Sequence, residues 1–336
     1  MGGPGLSHFS RMPVSLSHLF RVGSSLRVAY RVQVVTGLVL ALHYRMSFQD
    51  LIIYGWDVEW RHYLWFYHAT GASLFLFLIY LHLGWGLYYR SYNKNKLWSS
   101  RVVILFISMG AAFLRYVLPY GQMSYWRATV IINLLSVFSY QICVTLWRGF
   151  VVSSYTLVWI FTFHFLVPLL LGVLILRHIY LLHSSGRASL NYSFNKIGFS
   201  GYYLSKDLFI WLFLLLRVGH FWLLVPNALR DSDNYSEANP LVTPAHIKPE
   251  WYFLFAYAIL WCVSNKTLGV LLLFAAILVL LLSVLLSSWG ERAQHNFLLQ
   301  LQLRLLTVAR GLVITDYNVF LSQVASVLYF QVLVLL

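Results

Sequence analysis

Cysteine is almost missing from this chain: Cys143 and Cys262 are the only two, far apart and outside any CxxC or CxxCH pattern. A disulfide framework, an iron–sulfur site and covalent haem attachment are thereby excluded. Charge is also scarce. Only 10% of the 336 residues are charged while 60% are hydrophobic, a balance that fits a polytopic membrane protein and not a soluble globule. Acidic residues are the scarcest of the charged set, 10 against 24 Lys and Arg, for a net charge of +14. Such an excess can signal nucleic acid. Here the basic residues lie largely in short loops and at span ends, so anionic phospholipid headgroups and topology account for most of them and no nucleic-acid partner is expected. No basic, apolar, small-residue signal precedes the first apolar run, so insertion by the chain's own helices is expected.

What is abundant is long apolar sequence, and one stretch organises the rest. WRHYLWFYHATGASLFLFLIYLHLGWGLYY, residues 60–89, is apolar enough to cross a bilayer yet carries His68 and His82. Their fourteen-residue spacing puts roughly 21 Å between them along a helix and returns them to within about 40° of one face. A second stretch, TLVWIFTFHFLVPLLLGVLILRHIYLLH, repeats the spacing with His164 and His178. Two helices with matched pairs would meet at two membrane depths. Each depth then offers two neutral imidazoles as axial ligands to an iron, which points to two bis-histidine haems stacked across the membrane. The competing reading is of buried histidines bonded to backbone carbonyls. Gly23 and Gly37 repeat the spacing again, two positions without a side chain where a macrocycle could approach the backbone.

The fold expected is all-α, with eight transmembrane helices: A about 22–44, B 60–89, C 101–120, D 157–183, E 208–228, F 268–288, G 297–315 and H 318–336. A to D form a four-helix haem-binding bundle. Residues 1–20 read as a surface segment, 21–206 as the di-haem bundle and 207–336 as a C-terminal helical region. Between C and D, 121–156 reads as interfacial helices. Between E and F, RDSDNYSEANPLVTPAHIKPEWYF interrupts the hydrophobicity with three prolines. Arg27 and Arg31 are deep for span A, as Arg177 and Arg217 are for theirs, and Arg304 and Arg310 weaken G. The B–C and D–E loops are basic while the A–B loop carries Asp50, Asp57 and Glu59. The positive-inside rule then puts His82 and His178 near the inner face, and His68 and His164 near the outer one.

The motifs TGLVLALHY, HATGAS, YVLPYGQMSYW, ATVIINLL, NPLVTPAHIKPEWYFLFAYAIL and ASVLYF carry a resemblance. Over almost its whole length the chain resembles the cytochrome b family in its mitochondrial form, the core of the quinol–cytochrome c oxidoreductase (complex III). Its single chain and equal histidine spacings fit the respiratory form better than the split photosynthetic one. The resemblance implies that His68 and His164 ligate an outer b-type haem and His82 and His178 an inner one. It implies that Pro249, Glu250, Trp251 and Tyr252 belong to a ubiquinol-oxidising pocket lined by Tyr116 and Tyr257, with Glu250 accepting a proton. A partly desolvated carboxylate suits that task; the plainer alternative for Glu250 is a helix cap. It also implies that His183 and Asp207 serve quinone reduction on the inner side, that the partners are a Rieske iron–sulfur protein and a membrane-anchored c-type cytochrome, and that the protein is a homodimer in the mitochondrial inner membrane. The rivals are a di-haem anchor for a peripheral oxidoreductase and a transporter with histidine proton relays.

Departures from that family pattern fall into classes. Arg101, Arg115, Arg127, Arg148 and Arg230 stand where the family has Gly. Trp65, Trp85, Trp159 and Trp261 stand where it has Arg, and Ser139, Ser232 and Ser264 where it has Pro. Each class is one first-base transition away from the family residue, as in a translation of an unedited message. The other reading is a lineage with compensating changes. Arg31, Arg177 and Arg217 do not fit the editing pattern.

Overall fold

A computed structural model describes residues 11–13, 21–48, 60–88, 91–185, 196–225, 231–286 and 316–335. Span G, Arg230 and most of the N-terminal surface segment lie outside them. The fold is all-α. Ten helices are described: α1 Val22–Ala41, α2 Arg61–Tyr88, α3 Asn95–Val117, α4 Gln122–Leu134, α5 Tyr140–Trp147, α6 Ser154–Ser185, α7 Leu204–Leu224, α8 Leu254–Trp261, α9 Lys266–Leu286 and α10 Asp316–Leu335. One short antiparallel pair, β1 Arg11–Pro13 with β2 Lys196–Gly198, adds a small element of a different kind. By length and apolarity alone, α2, α3 and α6 could each cross a membrane.

Element ends shift where polar residues open or close a helix. Hydropathy starts span C at 101, but α3 begins at Asn95, because Asn95, Lys96 and the two serines that follow are polar without being helix breakers. The 121–156 connection does fold as helices, α4 and α5. Ser139 caps α5, its hydroxyl accepting from the Gln141 amide at 3.2 Å. Arg148 ends α5 in the left-handed conformation at φ 58°, where the amides of Arg148 and Gly149 bond back to Thr145 and Val144.

The chain divides into two compact units. The first comprises Met1–His43, Val58–Tyr89 and Gly186–Arg230. Here α1 packs along α2 and also meets α7. Leu76, Leu78, Ile79, Leu83 and Leu87 form the buried stripe of α2. At the start of α1, Arg21 pairs with Asp207 of α7 at 2.6 Å, both side chains being buried, and Ser24 donates to the same carboxylate at 2.7 Å.

The second unit comprises Tyr44–Asp57, Arg90–Ser185 and Asp231–Leu336. In it α3 packs against α6 and α9. The fully buried Trp98 of α3 donates its indole N–H to the Leu280 carbonyl of α9 at 2.7 Å, and Tyr329 of α10 bonds the Ala276 carbonyl of α9 at 2.7 Å. A core of Val117, Tyr125, Ala128, Ile132, Cys143, Trp147, Leu157 and Ile160 joins α3 through α6. The 231–250 segment lies on α4: the Gln122 amide donates to the Ser236 carbonyl at 2.9 Å, and the Ser124 amide to Asn234 Oδ1 at 2.8 Å. Those bonds bring loop carboxylates to the start of α4.

Candidate functional site

In the first unit, the glycines of α1 face the histidines of α2 level by level. A Cβ on Gly23 would meet His82 Cε1 at 3.5 Å, and one on Gly37 would meet His68 Cε1 at 2.9 Å. The fourteen-residue spacing therefore does align both histidines with one face of α1. Thr36 donates its hydroxyl proton to the Val32 carbonyl at 2.7 Å and lies 3.0 Å from His68 Nδ1. With its proton so committed, the hydroxyl accepts from an Nδ1–H, and the His68 lone pair is left on Nε2.

The second unit repeats the logic on α3 and α6. His164 Nδ1 stands 3.0 Å from the Ala111 carbonyl, which can only accept. His178 Nδ1 stands 2.6 Å from Ser100 Oγ, whose own proton goes to the Leu97 carbonyl at 2.7 Å. His68, His164 and His178 thus each have an oxygen placed to accept from an Nδ1–H, the arrangement that orients metal-ligating histidines. Among the described residues no cluster of three or more His, Cys, Asp or Glu is placed to hold a metal ion. A porphyrin needs no such cluster, because it supplies four ligands itself and asks the protein for axial ones. Oriented Nε2 lone pairs, with glycines facing the His68 and His82 rings, suit axial ligation of a b-type haem.

Residues expected from sequence to line a quinol pocket gather in the second unit around Glu250. Its carboxylate Oε1 lies 3.3 Å from Arg127 Nη1, and Arg127 Nη2 reaches Asp231 Oδ2 at 2.8 Å. The Tyr116 ring lies under the same guanidinium, 4.3 Å from centroid to Cζ. The Tyr116 hydroxyl is buried without a hydrogen-bond partner among the described residues. Arg115 donates to the Tyr252 hydroxyl at 3.3 Å. Burial raises the Glu250 carboxyl above the ordinary range, while the guanidinium groups of Arg115 and Arg127 pull it back down. Glu250 does precede the short 3-10 turn at Trp251–Phe253, but its side chain makes no capping bond there, so the cap alternative finds no support in the geometry.

Other expected residues are placed less tightly. Pro249 is half-buried beside Glu250, the Trp251 ring packs on Tyr252 at 5.6 Å, and Tyr257 on α8 packs on Trp261 at 5.8 Å. His183 is exposed near the end of α6 in the second unit, and Asp207 is the buried partner of Arg21 in the first. Asp231 was not read as a site residue from sequence. Its one signal is an acid near the start of the longest loop of irregular composition, and only the fold shows that it meets Arg127.

The unusual arginines separate by environment. Arg127 has two carboxylates and a ring. Arg148 lies over the Trp159 ring at 4.4 Å, so two of the departing residues meet each other. Arg101 keeps its Nε buried without a hydrogen-bond partner among the described residues. Arg27, Arg31 and Arg177 are uncovered by protein, and so are not core charges.

Comparison with known proteins bears on the family. The family described as cytochrome b/b6/petB matches residues 8–186, and that described as cytochrome b (C-terminal)/b6/petD matches 237–330. A chain of a hyperthermophilic respiratory complex III superposes with a TM-score of 0.88 at 25% identity, over 96% of this chain and 91% of that one. The histidine-bearing helices α2 and α6 fall inside the first matched segment and Glu250 inside the second, and the chain belongs to the cytochrome b/b6 family.

Proposed function

We propose that the chain is the cytochrome b subunit, and hence the catalytic core, of a quinol–cytochrome c oxidoreductase. It would oxidise ubiquinol at an outer site, pass one electron to a Rieske iron–sulfur partner and the other across the membrane, and reduce quinone at an inner site. Net proton transfer follows from placing the two sites on opposite faces. The observation that carries this reading is the repeated two-level pattern: paired histidines fourteen apart on α2 and again on α6, with Gly23 and Gly37 beneath the first pair.

When bound, two b-type haems supply reversible one-electron transfer at two depths. His68 with His164 would hold the outer one and His82 with His178 the inner one. The chain's own contribution is orientation. Thr36, the Ala111 carbonyl and Ser100 fix ring tautomers, and each Nδ1–H···O bond raises the basicity of the opposite nitrogen. At the oxidation site Glu250 takes a proton from the quinol hydroxyl, with Tyr116, Tyr252, Trp251, Pro249 and Tyr257 shaping the pocket. At the reduction site His183 and Asp207 deliver protons to the reduced quinone. The further proposals are a homodimer with a membrane-anchored c-type cytochrome and other complex III subunits, in contact with anionic lipid, multi-pass in the mitochondrial inner membrane.

Reduced-minus-oxidised spectra of the purified complex test this. Two b-type signals are expected, with either member of a pair changed to Ala removing one signal and leaving the other. No b-type signal in the unaltered chain would overturn it. A second reading, a di-haem anchor without quinol bifurcation, is favoured by one observation: the Glu250 carboxylate already has Arg127 on it. Quinol turnover that stops with oxidation-site inhibitors separates the two, since an anchor would be indifferent to them.

A further inference from the structure

Arg127 reaches from α4 to two carboxylates that arrive on the 231–250 segment. Its side chain is 8% exposed, that of Glu250 11% and that of Asp231 24%. A guanidinium keeps its charge in proteins, whereas the Glu250 carboxylate is the proposed acceptor of the quinol proton. The two contacts are unequal: 2.8 Å to Asp231 and 3.3 Å to the more deeply buried Glu250. The Tyr116 ring beneath the guanidinium confines it further. With one cation and two anions the trio carries a net charge of −1, and a proton on Glu250 brings it to zero. Protonated Glu250 loses most of its attraction to Arg127, while Asp231 still holds the guanidinium in place. The result is a latch with one fixed arm and one releasable arm.

We infer that Arg127 is a positioning residue for Glu250: anchored by Asp231, it holds the ionised carboxylate in the pocket and releases it when Glu250 accepts a proton. The inference deepens the quinol-oxidation reading and rests on it. In the step concerned, the quinol O–H bond breaks and the proton passes to a Glu250 oxygen, with electron acceptors as proposed above. The charged and titratable groups facing Glu250 are Arg127 from α4, Arg115 and Tyr116 from α3, Asp231 from the loop, and Tyr252 from the turn that follows. Because Arg115 remains when Arg127 is removed, the effect is a displacement of Glu250's titration and not its abolition.

The test uses the whole purified complex. Difference infrared spectroscopy follows the Glu250 carboxyl, assigned with Glu250→Gln, as a function of pH. The pH profile of oxidation of a short-chain ubiquinol is measured alongside. Arg127→Gln is expected to move both the infrared titration and the acid limb of turnover to higher pH, lowering turnover about tenfold for each unit of displacement on that limb. Arg127→Lys should restore most of the shift. Asp231→Asn, which leaves Glu250 as the guanidinium's only carboxylate, should move the titration the opposite way. A Glu250 titration unmoved in Arg127→Gln, with its b-type spectrum intact, would overturn the inference. If Arg127→Gln does not assemble, the sign of the Asp231→Asn shift decides: a shift to lower pH supports the latch, and no shift or a rise refutes it. If the unaltered chain oxidises no quinol, the functional reading fails, while the infrared titration still decides whether Arg127 governs Glu250.

Discussion

Gly37 and Gly23 occupy the same relation to His68 and His82, but not with equal room. A methyl on Gly37 would sit 2.9 Å from a ring carbon, closer than real Cβ atoms approach, while one on Gly23 would sit at an ordinary 3.5 Å. If the two proposed haems sit as assigned above, Gly37→Ala is expected to reduce the signal of the outer one and Gly23→Ala to leave that of the inner one near its normal level, as read by haem content per chain. The hydroxyl partners make a second pair. Removing an acceptor from Nδ1–H makes the ligand less electron-donating and favours the reduced iron. Thr36→Val should raise the potential of the outer haem alone, and Ser100→Ala that of the inner haem alone, in a redox titration that resolves the two. A shift of the wrong haem would break the assignment of levels. At this scale the histidines and glycines were legible because helical periodicity carries them. Arg127 was legible only as a misfit, since its partners Asp231 and Glu250 lie more than a hundred residues away in sequence and no local pattern joins them.

Among the elements, α5 shows how a local rule and a side-chain contact compete. Arg148 closes it at φ 58°, a conformation that costs a residue with a Cβ about 1 kcal/mol and glycine almost nothing. Its guanidinium over Trp159 returns about 0.5–1 kcal/mol at an exposed site. Arg148→Gly should consequently change thermal stability in detergent by no more than about 1 kcal/mol, in the stabilising direction. A large loss would mean that the Trp159 contact holds more than a surface ring does. Trp98 works differently, because it ties α3 to α9 from a fully buried position. Trp98→Phe removes the donor, leaves a void beside the Leu280 carbonyl and should cost about 2–4 kcal/mol. Hydropathy found the apolar part of α3 but missed its first turns, because polar residues that a helix tolerates look like loop to a scale that counts only hydrophobicity. In the 121–156 connection the sequence pointed to helices without their limits, which fall at Gln122–Leu134 and Tyr140–Trp147.

For the molecule as a whole, the family membership was carried by motifs spread along the chain, and the pattern of departures is where the sequence left two readings open. The structure gives Arg127 two carboxylates and sets Arg148 against Trp159, contacts that the reading of compensating changes calls for, while Arg101 Nε is buried without a hydrogen-bond partner among the described residues. Peptide mass spectrometry across 101–127 and 148–159 of the purified chain is expected to find arginine at 127. Glycine there would remove the latch and support an edited message. The division into two units was not legible, since it depends on which helices find each other after insertion and not on where hydropathy rises and falls.

The first unit is discontinuous, and that has a consequence for the order in which the protein can be made. Arg21 emerges early from the ribosome, but Asp207, its buried counter-charge, is not synthesised until α3 through α6 have been completed. Until then α1 has a cation with no partner at a place the finished unit encloses, a situation that costs about 3–5 kcal/mol when it arises in a folded protein. The N-terminal helices must therefore wait in a looser state while the middle of the chain is threaded into the bilayer. A nascent chain arrested at Ser185 should leave Arg21 open to trypsin, and one extended past α7 should close it, so that residue 207 acts as the clasp that ends assembly of the unit begun at residue 21.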